Sequence, residues 1–402
     1  MIAFFLAPIY ILVNYYILWR LLHWMGSFGM LFQHPLMQFF VILIYIFFAS
    51  SLLTSFLVKH PTWLQRLLKH TSNYFLGTLL YILMTLLAVE GLELLLKYVF
   101  HISWLRSSTA FAVTGFFAIV LILFISLSGV FHRRRLQLKH YEITIPKTLE
   151  NGPDSLKIVL LADTHFGYTI NEKTAAALAE QINAIRPDLI CFAGDIFDND
   201  FDAMKSPLAI QEALKSLQST YGTYACWGNH DLNEPILAGF TFHHGNASYE
   251  DPRMTEFLKK AGIQLLEDEY LLINNQFYLV GRKDPARAKK MQDPRMEPAK
   301  LLAPLDASKP IIVMDHQPKQ LRELSLAGAD LDLCGHTHDG QLFPGNILTS
   351  LMWENSCGYC KKDQMHNIVT SGVGIWGPNM RVGTTGEICV INVHLQSDSK
   401  PF

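Results

Sequence analysis

The chain has 402 residues, of which 17% are charged and 50% are hydrophobic, and its mean hydropathy is +0.19. This composition is too apolar for an ordinary soluble enzyme, so membrane-spanning segments are expected. The formal net charge of −2 hides an asymmetry, because the first 140 residues contain ten Lys or Arg and two acidic residues, whereas the remainder contains 23 basic and 33 acidic residues. The acidic second part argues against nucleic-acid binding, which normally requires a basic surface.

The N-terminal third contains four apolar stretches, each close to the ~20 residues that a membrane-spanning helix needs. They cover residues 3–19, 37–58, 74–96 and 109–131. The first stretch lacks the basic start and the small-residue cleavage site of a signal peptide, so we expect it to be retained. The sequence therefore predicts a transmembrane region of four helices over residues 1–135, with the lipid bilayer as its partner.

Lysine and arginine are distributed unevenly between the loops, and positively charged short loops stay on the cytoplasmic side of a membrane. The loops on one side carry seven of them, namely Lys59, Arg66, Lys69, Arg133, Arg134, Arg135 and Lys139. The loops on the other side carry Arg20, Lys97 and Arg106. We therefore expect both termini, and the whole second part of the chain, on the cytoplasmic side. Glu90 and Glu93, near the end of the third stretch, are interpreted as an interfacial pair rather than an ion pathway.

Residues 136–402 alternate short strand patterns with helical patterns, which is typical of a layered α/β domain. The predicted helices cover residues 172–185, 208–217, 254–261 and 319–326. The predicted strands cover residues 157–162, 189–193, 221–227, 277–280, 310–314, 331–334, 367–370 and 387–393. Residues 286–304 are predicted to form a polar surface segment.

All six cysteines lie in this second part of the chain. Cys191, Cys226 and Cys334 stand inside apolar runs and are interpreted as buried thiols. Cys357 and Cys360 have the spacing of a zinc or redox pair, but no second Cys or His pair stands nearby, and we assign them no role.

Five short motifs follow predicted strands in a fixed order. Each alone occurs by chance in many chains, but five together indicate one site. Because strand ends in open α/β sheets release the chain into loops that converge on one crevice, we expect the motifs to meet across more than 170 residues of sequence. They are Asp163-Thr-His165, Gly194-Asp195-Ile-Phe-Asp198, Gly228-Asn229-His230-Asp231, Asp315-His316 and Gly335-His336-Thr-His338.

Seven side chains of these motifs offer oxygen or nitrogen donors, and no cysteine is among them. Such donors suit Mn, Fe or Zn, with positions left open for water and substrate. Seven ligands are too many for one catalytic ion and fit two divalent ions that share Asp195 as a bridging carboxylate. The expected ligands are Asp163, His165 and His338 on one ion and Asn229, His316 and His336 on the other.

Two ions about 3.5–4 Å apart can acidify a bridging water to hydroxide and hold the oxygens of a phosphoester. The hydroxide would attack phosphorus in line, without a phosphoenzyme. His230 is the expected catalytic acid for the leaving oxygen. Asp231 is expected to orient the imidazole and to favour its charged form. Asp198 is interpreted as an acceptor that holds its own loop.

In this order the five motifs resemble those of the calcineurin-like metallophosphoesterases, over residues 142–393. The resemblance implies a two-sheet β-sandwich flanked by helices, and its ligand scheme matches the seven residues given above. Residues 335–341 and 371–378, followed by Arg381, are similar to a multi-pass membrane subgroup of bacterial type, which implies a plasma or inner membrane. Asp339, where many relatives have Gly, and the Cys357/Cys360 stretch depart from the pattern without touching a ligand.

The expected function is that of a membrane-anchored phosphodiesterase or pyrophosphatase with a lipid-linked substrate, because some membrane-associated relatives hydrolyse pyrophosphate bonds in lipid precursors. The alternatives are a phosphomonoesterase acting on nucleotides or phosphoproteins, and a sensor or transporter whose domain only binds metal. The complete ligand set with His230 argues against the sensor. Candidates for contacts with substrate are Arg381, Arg282, Lys283, His243 and His244.

Overall fold

The computed structural model describes residues 2–58, 62–150, 152–234, 236–237, 240–241 and 248–396. The chain divides into two compact units. The first, called the helical unit, is Met1–Phe131 with Pro378–Met380, and the second, called the α/β unit, is His132–Gly377 with Arg381–Phe402.

The described part of the helical unit contains five α-helices. They are α1 (Ile2–Ser27), α2 (Met30–Gln33), α3 (Pro35–Leu57), α4 (Trp63–Leu94) and α5 (Ser108–His132). Helix α4 begins at a capping residue, Thr62, whose side chain accepts a hydrogen bond from the Gln65 N–H at 3.3 Å, which satisfies one of the free N–H groups of the first turn. A π-helical turn, Leu95–Val99, continues α4, and a 3-10 turn, Ser103–Arg106, precedes α5.

Three helices in the described part of the chain, rather than four, are long and apolar enough to cross a membrane: Pro35–Ser55, Trp63–Val99 and Ser108–His132. The prediction of four spans is therefore wrong in number. Helix α1 forms where the first stretch was expected, and it contains the polar residues Asn14, Arg20 and His23. Arg20 lies 3.4 Å from Glu90, so its charge is offset by an acid on α4.

The α/β unit contains fourteen described strands. Two six-stranded mixed sheets hold twelve of them, in the orders β1-β14-β2-β3-β4-β7 and β12-β13-β11-β10-β9-β8, and β5 pairs with β6. The strands are β1 (Leu136–Ile145), β2 (Ser155–Leu161), β3 (Leu189–Ala193), β4 (Thr223–Cys226), β5 (Ile236–Leu237), β6 (Phe240–Thr241), β7 (Ile263–Leu265), β8 (Glu269–Ile273), β9 (Phe277–Gly281), β10 (Ile311–Met314), β11 (Leu331–Cys334), β12 (Gly358–Lys362), β13 (Met365–Val369) and β14 (Gly386–Leu395).

Alternate residues along a strand face opposite sides of a sheet, and the central strands of both sheets are buried on both sides. Leu160 of β2 and Met314 of β10 belong to one buried cluster that contains residues of both sheets. Leu161 belongs to a second cluster with Leu178, and Val313 belongs to a third with Leu324. The two sheets therefore share an inner core, and each has an outer core covered by helices.

Seven described helices cover these outer faces and connect the strands. Helix α6 begins at Asn171, whose side chain accepts a hydrogen bond from the Thr174 N–H at 3.3 Å, and it buries an apolar face on the first sheet. The helices are α6 (Glu172–Ile185), α7 (Pro207–Lys215), α8 (Pro252–Lys260), α9 (Pro285–Met291), α10 (Pro298–Leu302), α11 (Leu321–Leu326) and α12 (Gly345–Met352).

The α/β architecture with two sheets agrees with the fold that the family resemblance implied. Strands β2, β3 and β4 are parallel neighbours in the first sheet, and β10 and β11 are parallel neighbours in the second. Each of these five strands ends within two residues of a motif. The five motifs therefore lie at the carboxyl ends of strands in both sheets.

Candidate metal centre

The structure brings the expected ligands together in two groups. In each group the ligand atoms lie within 4.8 Å of one another. One group is Asp163, His165 and His338, and the other is Asp195, His316 and His336. A further group of the same kind joins His165 to Asp198 and His230.

Asp195 lies between the two groups. Its Oδ2 is 3.1 Å from the Nε2 of His316 and 3.8 Å from the Nε2 of His165. The Oδ1 of Asn229 approaches the same His316 nitrogen at 3.2 Å. One carboxylate therefore faces donors of both groups, which is the position that a bridging ligand needs.

The donor set fits a cation. The Nε2 atoms of His165 and His338 are 3.2 Å apart, and the Nε2 of His316 is 3.3 Å from the Nδ1 of His336. Imidazole nitrogens that face each other beside buried carboxylates are suited to hold a positive ion between them. The residues present therefore match the divalent ions that the donor chemistry implies.

The pKa values of these side chains also favour a bound cation. Burial lowers the pKa of His336 to about 3 and holds that of His338 well below its usual value, which leaves both imidazoles neutral, as metal ligation requires. Burial also acts to lower the pKa of His316, but the negative charge of Asp195 outweighs it and the pKa lies well above its usual value. The surroundings of Asp195 and His316 therefore favour a positive charge.

Five of the seven expected ligands have a left-handed backbone conformation, which is uncommon for residues other than glycine. Such conformations cost free energy and persist where the surrounding structure enforces them, often at functional sites. Their φ values lie between 44° and 75°, and the residues are Asp163, His165, Asp195, His336 and His338.

Oxygen atoms lie behind two of the histidines. The Nδ1 of His316 lies 2.8 Å from the carbonyl oxygen of Ala193, and the Nδ1 of His165 lies 3.6 Å from the Oδ1 of Asp198. The first contact is a hydrogen bond that favours the proton on Nδ1 of His316 and leaves its Nε2 free to face the centre, whereas the second is too long for a hydrogen bond. Asp198, which the sequence analysis interpreted as a loop-holding acceptor, thus faces the ring of His165.

His230 is held in place by two contacts. Its backbone N–H donates to the Oδ1 of Asp195 at 2.7 Å, and its Nδ1 contacts the Oδ1 of Asn199. Burial lowers the pKa of the imidazole to about 4, although Asp195 opposes the shift. The protein side chains alone therefore favour the neutral form of His230, contrary to the expectation of a charged ring.

The expected contact of Asp231 with the His230 imidazole is replaced by another arrangement. The carboxylate of Asp231 accepts backbone hydrogen bonds from Phe197 and Gly228, both at 2.8 Å. Asp231 therefore ties two motif loops together, and the residue that faces the imidazole is Asn199. Sequence reasoning missed Asn199, although it directly follows Asp198 in the second motif loop.

The basic candidates for phosphate binding have structural partners instead. Arg381 is fully buried and donates to the carbonyl oxygens of Ser371 and Gly374 at 2.7 and 2.8 Å. Arg282 is also fully buried and donates to Asp315 at 2.9 Å. Lys283 pairs with Asp293, while His243 and His244 lie outside the described residues.

Two tryptophans and a lysine lie beside the centre, and sequence reasoning did not single them out. The ring centroids of Trp376 and His230 are 6.3 Å apart, and those of Trp353 and His336 are 5.3 Å apart. The Nζ of Lys319 lies 5.3 Å from the Trp353 ring centroid. Lys319 is an exposed side chain and provides a positive charge at the edge of the centre.

Removing the charge of Asp315 should destabilise the α/β unit, because the carboxylate pairs with both Arg282 and Arg295. Asp315→Asn leaves two guanidinium groups without their shared counter-charge in a buried place. We expect a loss of about 3–5 kcal/mol, measured as a lower midpoint of denaturant unfolding. Asp293→Asn, which removes an exposed partner of Lys283, should cost about 0–1 kcal/mol. Equal losses in the two variants would contradict a structural role for the buried pair.

Residues 156–340 match the family described as calcineurin-like phosphoesterase. The chain is 32% identical over 253 residues to an uncharacterized metallophosphoesterase of Helicobacter pylori, covering 62% of each chain. It is 29% identical over 265 residues to a transmembrane protein with metallophosphoesterase domain of Danio rerio, covering 62% of this chain and 56% of that one. It is 32% identical over 190 residues to phosphodiesterase YaeI of Escherichia coli, covering 46% of this chain and 62% of that one.

The matched segment spans less than two thirds of the length of each of these three relatives. The two-sheet α/β fold and the histidine and carboxylate centre define a metallophosphoesterase domain. More particularly, residues 156–340 match the calcineurin-like phosphoesterases, so the chain contains a domain of that type.

Proposed function

We propose that this chain is a membrane-anchored phosphodiesterase that uses two divalent metal ions. The observation that carries the proposal is the position of Asp195, whose Oδ2 faces donors of both ligand groups. A centre for a single ion would not need a carboxylate shared in this way. The similarity to a phosphodiesterase of Escherichia coli supports a diester as the substrate.

Each ligand group would hold one ion, with Asp195 shared between them. Asn229 is assigned to the group of His316 because its Oδ1 approaches the Nε2 of that residue. When bound, the two ions would acidify a water molecule as the nucleophile and offset the charge of the phosphoryl oxygens. Mn, Fe and Zn all suit these donors.

The protein would supply the leaving-group chemistry through His230. The contact of its Nδ1 with the Oδ1 of Asn199 favours a proton on Nδ1, so the mobile proton belongs on Nε2. The negative charge of a bound phosphodiester favours the protonated ring. His230 can then give a proton to the leaving oxygen, and Asn199 keeps the ring in place. Lys319 would hold a non-reacting phosphate oxygen.

Metal dependence tests the proposal directly. Chelation of the full-length protein should abolish hydrolysis of bis(4-nitrophenyl) phosphate, and Mn²⁺ or Zn²⁺ should restore it, with about two ions bound per chain. Activity towards 4-nitrophenyl phosphate should be much lower, because a diesterase centre is expected. A higher rate on the monoester would favour the phosphomonoesterase alternative. Metal binding without hydrolysis of either ester would favour the sensor.

His230→Asn should slow the reaction by about 10²–10⁴-fold if the imidazole acts as the acid. The loss should be larger for a phenyl ester than for a 4-nitrophenyl ester, because the poorer leaving group depends more on proton transfer. Asn199→Ala should show the same dependence with a smaller loss. The measurement is kcat/KM over a series of aryl leaving groups, and an equal loss across the series would refute the acid role.

The α/β unit is proposed to lie on the cytoplasmic side. The distribution of Lys and Arg supports this orientation, and it does not depend on α1, because the basic residues around the start of α4 and after α5 lie at the ends of the three spans. A reporter enzyme active only in an oxidising compartment, fused at the C-terminus, should be inactive. Reporter activity there would reverse the assignment.

A further inference from the structure

A cavity of about 460 Å³ lies in the α/β unit beside the residues that follow the fourth motif. It is lined by residues of α9 and of the segment after α9, and by Lys319 and Gln320. Its volume is within the range of small-molecule binding sites in proteins. The two-ion chemistry proposed above leaves this cavity without a ligand.

Positive side chains prevail in the lining of the cavity. Of the described residues that line it, three are basic and one is acidic, namely Lys289, Arg295, Lys319 and Glu297. The Glu297 carboxylate accepts a hydrogen bond from the side chain of Gln320 at 3.0 Å. No carboxylate of the described residues lies within salt-bridge distance of Lys289 or Lys319. The cavity therefore favours a negatively charged ligand.

Arg295 provides a buried donor at this cavity. Its side chain is 9% exposed, and its two terminal nitrogens contact the carboxylate of Asp315, which holds the guanidinium in a fixed orientation. The third nitrogen, Nε, is buried and has no hydrogen-bond partner among the described residues. Buried donors are usually hydrogen-bonded. An anion bound beside Arg295 would accept a hydrogen bond from this Nε–H.

The cavity adjoins the metal centre through Lys319. This residue follows the expected ligand His316 by three positions, and its Nζ lies 5.3 Å from the ring centroid of Trp353. The ring centroid of Trp353 in turn lies 5.3 Å from that of His336. A small molecule whose reacting phosphate lies at the metal centre can therefore extend past Lys319 into the cavity.

A terminal phosphate fits this lining better than a carboxylate does. It carries a charge of about −1.5 to −2 at pH 7 and three acceptor oxygens, whereas a carboxylate carries one charge on two oxygens. The lining offers the ammonium groups of Lys289 and Lys319 together with the Nε–H of Arg295. The cavity is also larger than a phosphate, which leaves room for the group that carries it.

We propose that this cavity binds a second, terminal phosphate of the substrate, so that the metal centre acts on phosphodiesters in which one esterified group also carries a phosphate. This substrate class rests on the proposed function, because it concerns the same centre. Lys289 and the Nε–H of Arg295 hold the terminal phosphate, and Lys319 lies between it and the reacting phosphate. Because these contacts are remote from the bond that breaks, they lower KM more than they raise kcat.

Two esters with the same reacting group test the proposal. The 4-nitrophenyl ester of thymidine 5′-phosphate carries only the reacting phosphate, and its 3′-phosphorylated form also carries a terminal one. The full-length protein with bound Mn²⁺ should hydrolyse the 3′-phosphorylated ester with a kcat/KM at least about tenfold higher, mainly through a lower KM. Equal values of kcat/KM, or a preference for the ester without the terminal phosphate, overturn the proposal.

Lys289→Gln tests the cavity itself. Lys289 is an exposed side chain on α9, so its substitution should leave the fold intact. The variant should lower the preference for the 3′-phosphorylated ester at least about fivefold, and Lys289→Glu should lower it further. The matched control is Lys300→Gln, because Lys300 is exposed on α10 and does not line the cavity. An unchanged preference in both Lys289 variants, or an equal fall in the control, contradicts the assignment.

A second measurement does not depend on hydrolysis. In isothermal titration calorimetry with bound Mn²⁺, thymidine 3′,5′-bisphosphate should bind at least about tenfold more tightly than thymidine 5′-phosphate, and Lys289→Gln should remove most of this difference. Equal affinities in the wild type overturn the proposal. If the wild type hydrolyses neither ester, the proposed function fails, and this difference in affinity alone decides whether the cavity takes a terminal phosphate.

Inorganic phosphate distinguishes a free anion from a phosphate carried by the substrate. If the cavity receives part of the substrate, inorganic phosphate should not raise kcat/KM for the ester that lacks the terminal phosphate. A rise that Lys289→Gln abolishes would show that the cavity takes a free anion, and the proposed substrate class would then be wrong.

Discussion

Asp195→Asn should remove metal-dependent hydrolysis almost completely. The Oδ2 of Asp195 lies 3.1 Å from a nitrogen of His316 and 3.8 Å from one of His165, and an amide lacks the negative charge that two neighbouring cations require. We expect a fall in kcat/KM of about a thousandfold or more, equivalent to about 4 kcal/mol of transition-state stabilisation. The measurement is hydrolysis of bis(4-nitrophenyl) phosphate by the full-length protein, together with its metal content.

The control for this variant is Asp202→Asn, because Asp202 is an exposed acid that pairs with Arg253. The control should keep both metal ions and the full rate. If Asp195→Asn retained two bound ions and more than a tenth of the wild-type rate, Asp195 would not be the shared ligand. If it retained one ion and the full rate, the two-ion proposal itself would fail.

Gly228→Ala should damage the centre without replacing any of the expected ligands. A Cβ at this position would lie 2.2 Å from the Oδ1 of Asp195 and 2.4 Å from its backbone nitrogen. The loops of the second and third motifs would have to separate, and the hydrogen bond from the Gly228 N–H to Asp231 would be disturbed. We expect loss of bound metal, loss of activity and a destabilisation of about 1–3 kcal/mol or more.

Gly262→Ala is the matched control for this steric effect. A Cβ at Gly262 meets no atom within 4 Å, although its φ of +75° makes alanine strained there. The control should therefore lose about 1–2 kcal/mol of stability and keep its metal and its rate. The two glycine variants are compared by their free energy of unfolding, their metal content and their kcat. A Gly228→Ala protein with normal metal content would show that the loops can move apart at little cost.

Two short, fully buried strands could be predicted from the sequence to the residue. Strands β3 and β11 were predicted with the bounds that the structure has, and every residue of both is buried. Strand β1 was missed, because its ten residues are mostly polar and exposed and it exists through parallel pairing with β14. Such a pairing depends on a partner about 250 residues away, which local patterns do not contain.

The region predicted as a polar surface segment is partly helical. Residues 285–291 and 298–302 form α9 and α10, and Ala288, Leu301 and Leu302 are buried. Arg295, between the two helices, reaches the buried Asp315. The polar composition of this segment suggested a surface position. The charged side chain of Arg295 instead pairs in the interior with Asp315 of the fourth motif.

The meeting of the motif side chains could be predicted because motif order and strand ends determine which loops converge. The residues that hold these side chains in position could not be predicted from the sequence. Asn199, and not the expected Asp231, faces the imidazole of His230, because this contact depends on the direction in which each loop leaves its strand. Several expected ligands also have left-handed backbone conformations, which no local sequence pattern indicates. The structural roles of Arg282 and Arg381 depend likewise on burial, which composition alone does not fix.

The division of the ligands between two sheets has a consequence for how the protein matures. Asp163, Asp195 and Asn229 follow strands of the first sheet, whereas His316 and His336 follow strands of the second. Under the two-ion proposal, neither sheet alone carries a complete set of ligands, so the site would be complete only after the second sheet has been synthesised and has folded onto the first. Cation binding would then be a late step of folding, and the bound cations would stabilise the packing of the two sheets against each other.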